Sequence, residues 1–267
     1  MDLKIELLQG LAWLQVVQKI NKLKSESIII GRQPLIEAIQ QGRGIDKILF
    51  QRNVSGESIG EIRKLAKEYN IPIQQVPPEK LHGLTRANHQ GVIAFAAIVQ
   101  YMNLQQVIDL VVGNGELPLF IMLDGVTDVR NIGAIARTAV CCGAQALIIP
   151  DKGVGALNEE AMKSSAGALE KIHICRVNSL MKAVDELHLN GIPVFASEMT
   201  ATGNLHELPL AEPCTIIMGS EDNGVYPALM KICDQKFKSP MVGNFESLNV
   251  SVAAGMILYE AMRKRVS

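Results

Sequence analysis

At 267 residues, with 48% hydrophobic but only 4% aromatic side chains, the chain can bury one large core or two smaller ones built from Ile, Leu, Val, Ala and Met. A formal net charge of −1 excludes a globally basic nucleic-acid binder, so any RNA site has to be a local basic patch. The five cysteines, Cys141, Cys142, Cys175, Cys214 and Cys233, form no C-x-x-C pair and have no histidines at zinc spacing, and read as reduced, mostly buried thiols of a cytoplasmic protein. Residues 1–24 come first. Their apolar middle carries Leu7, Leu11 and Leu14 at helical spacing, but Asp2 and Glu6 stand where a basic leader would be. The expectation is an amphipathic helix docked on the body or a partner, neither a signal peptide nor a membrane span.

From about residue 25 to 101, short apolar runs alternate with helical ones: "SIII", "RQPLIEAIQQG", "IDKILFQ", "GESIGEIRKLAKEYN", "IPIQQVP" and "GVIAFAAIV". This predicts a small α/β unit in which Gly42 and Gly44 stop one helix and Asn70 with Pro72 the next. Between Ser25 and Gln100 there are nine Lys and Arg against seven Asp and Glu, a net of +2, with Arg63, Lys64 and Lys67 on one helix. Residues 102–117 read as a link at the domain boundary, a short helix followed by a Gly-Asn-Gly break. A second unit, 118–267, follows with strand candidates "LFIMLDG", "ALIIP", "KIHICRV", "IPVFASE", "CTIIMGS" and "KFKSPM", separated by helical stretches such as 132–142 and 180–189. Strands alternating with helices predict a mostly parallel sheet, and ligands of such sheets collect at the carboxyl ends of the strands.

Those strand ends carry the candidate chemistry. After the first comes "VTDVRNIGAIARTA": Asn131 lies at an expected helix start, where it could be a cap. Arg137, in an otherwise apolar helix, implies a buried anionic partner or a ligand. After "ALIIP", Gly153-Val154-Gly155 begins a dinucleotide-like pattern, but Asn158 occupies the third glycine position, so a loop with a helix cap is expected. After "CTIIM", the loop Gly219–Val225 has two glycines and two acids, Glu221 and Asp222, without the Lys-Ser/Thr of a phosphate loop, and suits a neutral or cationic ligand. Last, Ser247 and Asn249 precede a helix whose small residues Ser251, Ala254 and Gly255 permit close passage of another backbone or a flat ligand.

Taken in order, "NIGAIAR" at 131–137, "GSEDNG" at 219–224 and "SLNVSVAAG" at 247–255 resemble the three motifs of the SpoU-type RNA 2′-O-ribose methyltransferases, the TrmH family of the SPOUT superfamily. "GRQPLIEAI" at 31–39 and "HQGV" at 89–92 resemble the ribosomal-protein-like RNA-binding domain that precedes the catalytic domain in many members. The resemblance implies a parallel α/β catalytic domain threaded into a deep trefoil knot. It implies S-adenosylmethionine held by Ser197, Glu198, Met199, Met218, Gly219, Gly224, Ser239, Pro240 and Leu248, and no metal. It further implies catalysis by Asn131, Arg137, Glu221, Ser247 and Asn249, with Glu221 anchoring the polar network, and RNA contacts by Arg32, His89, Gln90 and Arg130. Family members are typically homodimers. The closing residues Arg263, Lys264 and Arg265 could touch RNA or favour a helix C-terminus. The expected substrate is RNA, most of all a guanosine of large-subunit ribosomal RNA, with DNA and membranes excluded. A transfer RNA methyltransferase, a non-catalytic ribosome-assembly factor and, more distantly, a small-molecule dehydrogenase are the competing readings. Val129-Arg130 stands where Pro with Gly or His is common in the family, which puts substrate identity rather than reaction type in doubt.

Overall fold

The computed structural model describes residues 28–155, 157–242 and 247–266; the expected helix in residues 1–24 lies outside them. The chain divides into two compact units between Ala97 and Ile98.

In the first unit, β1 (Ile28–Ile30), β2 (Ile45–Gln51), β3 (Ile73–Val76) and β4 (Val92–Ala96) form a sheet of order β1-β4-β2-β3. β4 is antiparallel to β1 and β2, and β2 is parallel to β3. The period-2 geometry of strands sorts their side chains between two faces. Ile48, Phe50, Val92 and Ala94 pack against α1 (Arg32–Gln40) and α2 (Glu57–Glu68), while Leu49, Val76 and Ile93 meet Leu81 of α3 (Pro78–Leu84). α2 gives way to Asn70, which adopts a left-handed φ of 51° before Pro72.

Among the described residues the second unit holds eight strands: β5 (Tyr101–Met102), β6 (Leu119–Leu123), β7 (Ala146–Pro150), β8 (His173–Val177), β9 (Val194–Ser197), β10 (Gly203–Asn204), β11 (Cys214–Met218) and β12 (Gln235–Lys238). Their order is β10-β12-β9-β11-β6-β7-β8-β5, and every pairing is parallel. The sheet is covered on both faces, so its strands read as continuous apolar runs. Leu119, Ile121 and Leu123 face α5 (Val129–Cys141), α6 (Glu159–Ser165) and α9 (Val250–Val266). Phe120 and Met122 face α4 (Leu104–Gly113), α7 (Leu180–Leu189) and α8 (Pro227–Ile232). The stretch read as a link therefore contains α4, whose Leu104, Val107, Ile108 and Val111 are buried.

β11 enters between β9 and β6, and β12 between β10 and β9, so the last strands are inserted among strands laid down earlier. Tracing a knot requires the path through residues 243–246, which lie outside the described residues.

The end of α9 is tied down by its basic residues. The Arg265 guanidinium donates to the carbonyls of Leu117 (2.7 Å), Pro118 (2.9 Å), Leu210 (2.9 Å) and Glu212 (2.6 Å). Lys264 Nζ donates to the carbonyls of His206 (2.6 Å) and Leu208 (2.8 Å), and Arg263 pairs with Glu260 at 2.8 Å. Beyond the two expected readings of this triplet, Lys264 and Arg265 clasp the last helix to the segments that precede β6 and β11. A charged donor contributes about 1.5–3 kcal/mol per well-made hydrogen bond, less where water competes.

Candidate active site

α5 starts at Val129 because Asp128 caps it, its carboxylate accepting the Arg130 N–H at 2.9 Å. Asn131 is thus the third helical residue and not the cap. Its amide is spent across the fold, donating to Glu221 Oε1 at 3.2 Å. Glu221 lies in the loop after β11, and the same oxygen accepts Asn249 Nδ2 at 2.7 Å and the Val250 N–H at 3.2 Å. Asn249 Nδ2 also reaches Asn131 Oδ1 at 3.1 Å.

The orientation of the Asn249 amide is set locally. Its Oδ1 accepts the Ser251 N–H at 3.0 Å and the Ser251 hydroxyl at 2.6 Å, the N-cap arrangement of α9. The Glu221 carboxylate consequently sits at the amino end of that helix, where the helix dipole favours negative charge. Three chain segments far apart in sequence therefore share one carboxylate oxygen.

The loop carrying Glu221 is held tightly. Ser220 and Gly224 exchange backbone hydrogen bonds at 3.1 and 2.9 Å, and Gly224 has a φ of 65°. A Cβ added to Gly219 would collide with the carbonyl carbon of Gly224 and the nitrogen of Val225, so only glycine fits there.

A cavity of about 430 Å³ opens beside this loop, at the carboxyl ends of β9, β11 and β12. Ser197, Glu198 and Met199 line it from β9 and the turn after it, Met218, Gly219 and Gly224 from β11 and its loop. Ser239 lines it just after β12, and Ser247 with Leu248 just before α9. Pro240 is exposed and not on its wall. Thr200, Asn223, Met230 and Met241 also contribute, and no local sequence pattern marked them. Ser239 Oγ is buried without a hydrogen-bond partner among the described residues, an unmet polar group on a cavity otherwise rich in methionine.

A second cavity, about 340 Å³, lies on the other side of the loop and includes Gly125, Asp128, Asn131, Gly153 and Asp222. The two share Ser220, Glu221, Asn223 and Val250 as a common wall. In place of a dinucleotide loop, Gly155 packs against the Thr127 carbonyl and Asn158 caps α6 by accepting the N–H groups of Glu160 and Ala161 at 3.0 and 3.1 Å.

Besides Pro240, two residues picked from the sequence sit differently from expectation. Arg137 is exposed and has no hydrogen-bond or ion-pair partner among the described residues, in place of a buried anion. The reason is helical phase: Ile132, Gly133, Ile135, Ala136 and Ala139 occupy the buried side of α5, and Arg137 falls outside that arc.

His89 is 6% exposed, so its ring does not present itself to RNA. Its Nδ1 accepts the Gly91 N–H at 3.0 Å, which assigns the proton to Nε2, 3.4 Å from His82 Nδ1. Gln90, exposed, accepts from Arg32 through its carbonyl (Nε, 3.0 Å) and side chain (N, 3.2 Å). Arg130 is exposed but already paired, bidentate to Asp128 at 3.2 and 3.0 Å, which holds that carboxyl below the usual range.

Burial and the neighbouring His82 hold the His89 imidazole below the ordinary histidine value of 6.5. The native state then binds fewer protons than the unfolded chain once the pH drops below that value, so stability is full above it and falls as the medium turns acidic. The melting temperature of the first unit is expected to be lower at pH 5.5 than at pH 7.5. His89→Gln should shrink this difference, and an unchanged difference would remove His89 as its source.

An all-parallel sheet with a polar network at its strand ends, a cavity on either side of that network, and a separate small α/β unit define a two-part enzyme of the ligand-binding α/β class. The comparisons with known proteins give the family. Residues 118–259 match the model of the SpoU rRNA Methylase family, and residues 28–102 match that of the RNA 2′-O ribose methyltransferase substrate-binding domain. A Staphylococcus aureus protein assigned to the TrmH family of tRNA/rRNA methyltransferases is 38% identical over 90% of this chain and 97% of its own. A Staphylococcus saprophyticus relative of the same description is 36% identical over 90% and 96%. Among solved structures, the SpoU methyltransferase AviRb from Streptomyces viridochromogenes, crystallised with AdoMet, shares the fold with a TM-score of 0.57 at 24% identity, covering 90% of both chains. The A. aeolicus TrmH/SpoU tRNA modifying enzyme aligns at a TM-score of 0.51 and 29% identity over 61% of this chain and 82% of its own. The chain belongs to the SpoU/TrmH family and is an RNA methyltransferase.

Proposed function

We propose that the protein transfers the methyl group of S-adenosylmethionine to a ribose 2′-hydroxyl, with a guanosine of large-subunit ribosomal RNA as acceptor. The observation that carries this reading is that Asn131 and Asn249 both donate to Glu221, which lies on the wall common to two cavities, one for each reactant. The larger cavity fits the cofactor: Ser239 Oγ lacks a partner, Met218 and Met230 offer polarizable contacts for a flat base, and Gly219 lets the backbone approach closely. When bound, S-adenosylmethionine supplies an electrophilic sulfonium methyl group.

The chain's own residues supply position and charge. Glu221 locks the amides of Asn131 and Asn249, which orient the ribose, and Ser247 is exposed at the edge of the cofactor cavity. A guanidinium is a donor group with no lone pair free to accept a proton, so the role of Arg137 is to position the hydroxyl and stabilise the negative charge developing on the 2′-oxygen, not to act as base. Its exposure and lack of an internal partner among the described residues leave the guanidinium available for that role. Val252, Met256, Tyr259 and Val266, three to seven residues apart, make an exposed apolar face on α9, which supports a homodimer built on that helix. The free cysteines support a cytoplasmic setting. The first unit supports ribosomal over transfer RNA, with Arg32 and Gln90 as the surviving candidates for RNA contact.

The test is transfer of labelled methyl to unmodified large-subunit ribosomal RNA and to transfer RNA, followed by digestion to nucleosides. Label is expected in 2′-O-methylguanosine from ribosomal RNA, and Arg137→Ala should lower the rate roughly a hundredfold or more at unchanged cofactor affinity. Label in transfer RNA alone would replace the substrate, and full activity of Arg137→Ala would remove its proposed role.

A further inference from the structure

We propose that Asp222 reads the base of the acceptor nucleotide and selects guanine by accepting two adjacent N–H donors of its Watson–Crick edge. The proposal rests on the reading that this site methylates a ribose in RNA. The second cavity, about 340 Å³, falls in the range of small-ligand sites. It lies across the Ser220–Asn223 wall from the cofactor cavity, so a nucleotide placed in it brings its ribose to the Asn131–Glu221–Asn249 network. Enzymes that act on single nucleotides commonly splay the target out of its stack and read its exposed edge in such a pocket.

The cavity is rich in acceptors and poor in donors. No Lys or Arg lies among its lining residues. Of its three carboxylates, two are already committed. Glu221 Oε1 receives Asn131, Asn249 and Val250, and Asp128 caps α5 while holding Arg130 in a bidentate pair. Asp222 is exposed and has no hydrogen-bond or ion-pair partner among the described residues.

An ionised carboxylate only accepts, through two oxygens side by side. Guanine alone among the four RNA bases presents two neighbouring donors, N1–H and the N2 amino group. Adenine and cytosine each set an amino donor beside a ring acceptor, which would face the second oxygen unfavourably. Uracil has one N–H flanked by carbonyl oxygens. A site built on paired acceptors therefore favours guanine and rejects analogues lacking a donor.

The experiment compares the wild type with Asp222→Asn on whichever transcript the wild type labels, carrying either guanosine or inosine at the methylated position, together with calorimetric titration of S-adenosylmethionine. Inosine lacks the N2 amino group. We expect the wild type to lose roughly tenfold in kcat/KM on inosine. Asp222→Asn should lose about tenfold to a hundredfold on guanosine, discriminate little between the two, and keep its cofactor affinity. An Asp222→Asn protein that retains the wild-type rate on guanosine would overturn the proposal and leave the methyltransferase reading intact, as would wild-type label in a 2′-O-methylated nucleoside other than guanosine. Failure of the wild type to label either ribosomal or transfer RNA would remove that reading and this inference with it.

Discussion

Glu221→Ala is expected to lower methyl transfer by about a hundredfold while the protein still folds. The carboxylate oxygen that accepts Asn131 Nδ2, Asn249 Nδ2 and the Val250 N–H, at 3.2, 2.7 and 3.2 Å, is the one acceptor among the described residues that all three share. Without it the two amides lose their common anchor, and displacement of reacting groups by about 1 Å costs on the order of a hundredfold in rate. Stability should change little, about 1 kcal/mol, because Glu221 is exposed and water can take over the released donors. Glu221→Gln keeps an acceptor in place and should fall between the two. The check is kcat/KM together with a thermal melt: an alanine variant within threefold of wild type would show that the network does not serve catalysis, and a collapsed melt would assign it to folding.

Gly133→Ala is expected to destabilise the second unit by about 3 kcal/mol, the upper end of typical overpacking costs. α5 and α6 approach so closely at this glycine that an added Cβ would run into the Ser164 hydroxyl and lie 2.5 Å from the Ala161 carbonyl oxygen and 2.9 Å from the Ser165 nitrogen. The hydroxyl can rotate, but the Ala161 and Ser165 atoms are backbone of α6, so the helices have to part. For a unit of this size such a loss lowers the melting temperature by about 10 °C. Because α5 also carries Asn131 and Arg137, activity should fall with it. A melt within 2 °C of wild type, a tolerance of about 1 kcal/mol or less, would mean that the helices separate at little cost.

Much of this architecture is legible in the sequence. All six strand candidates of 118–267 are present; those in the middle of the sheet are buried on both faces and write apolar runs into the sequence, whereas β12 buries only Phe237. β5 and β10 were not legible: at two residues each they carry no periodicity and exist only through their parallel partners. Asn131, Glu221 and Asn249 could be singled out because they fall in the three stretches, 131–137, 219–224 and 247–255, whose order resembles the motifs of the family. The burial of Arg137 and His89 is set by the tertiary structure, in opposite directions. The phase of α5 turned an arginine outward, and a loop with left-handed Gln90 and Gly91 turned a histidine inward. Met230 and Met241 join the cofactor cavity only because α8 and the segment after β12 come to lie beside β9 and β11.

By itself the sequence determined the class of the fold, its division into a smaller and a larger α/β unit, and the loops on which chemistry could sit, since each depends on local periodicity and turn chemistry. Only the tertiary structure decided that β11 lies between β9 and β6 and β12 between β10 and β9, and so that residues 131, 221 and 249 share one oxygen atom. Parallel strands pair through backbone groups that every residue possesses, so the choice of neighbour is written in the packing of the whole sheet and not in any one segment.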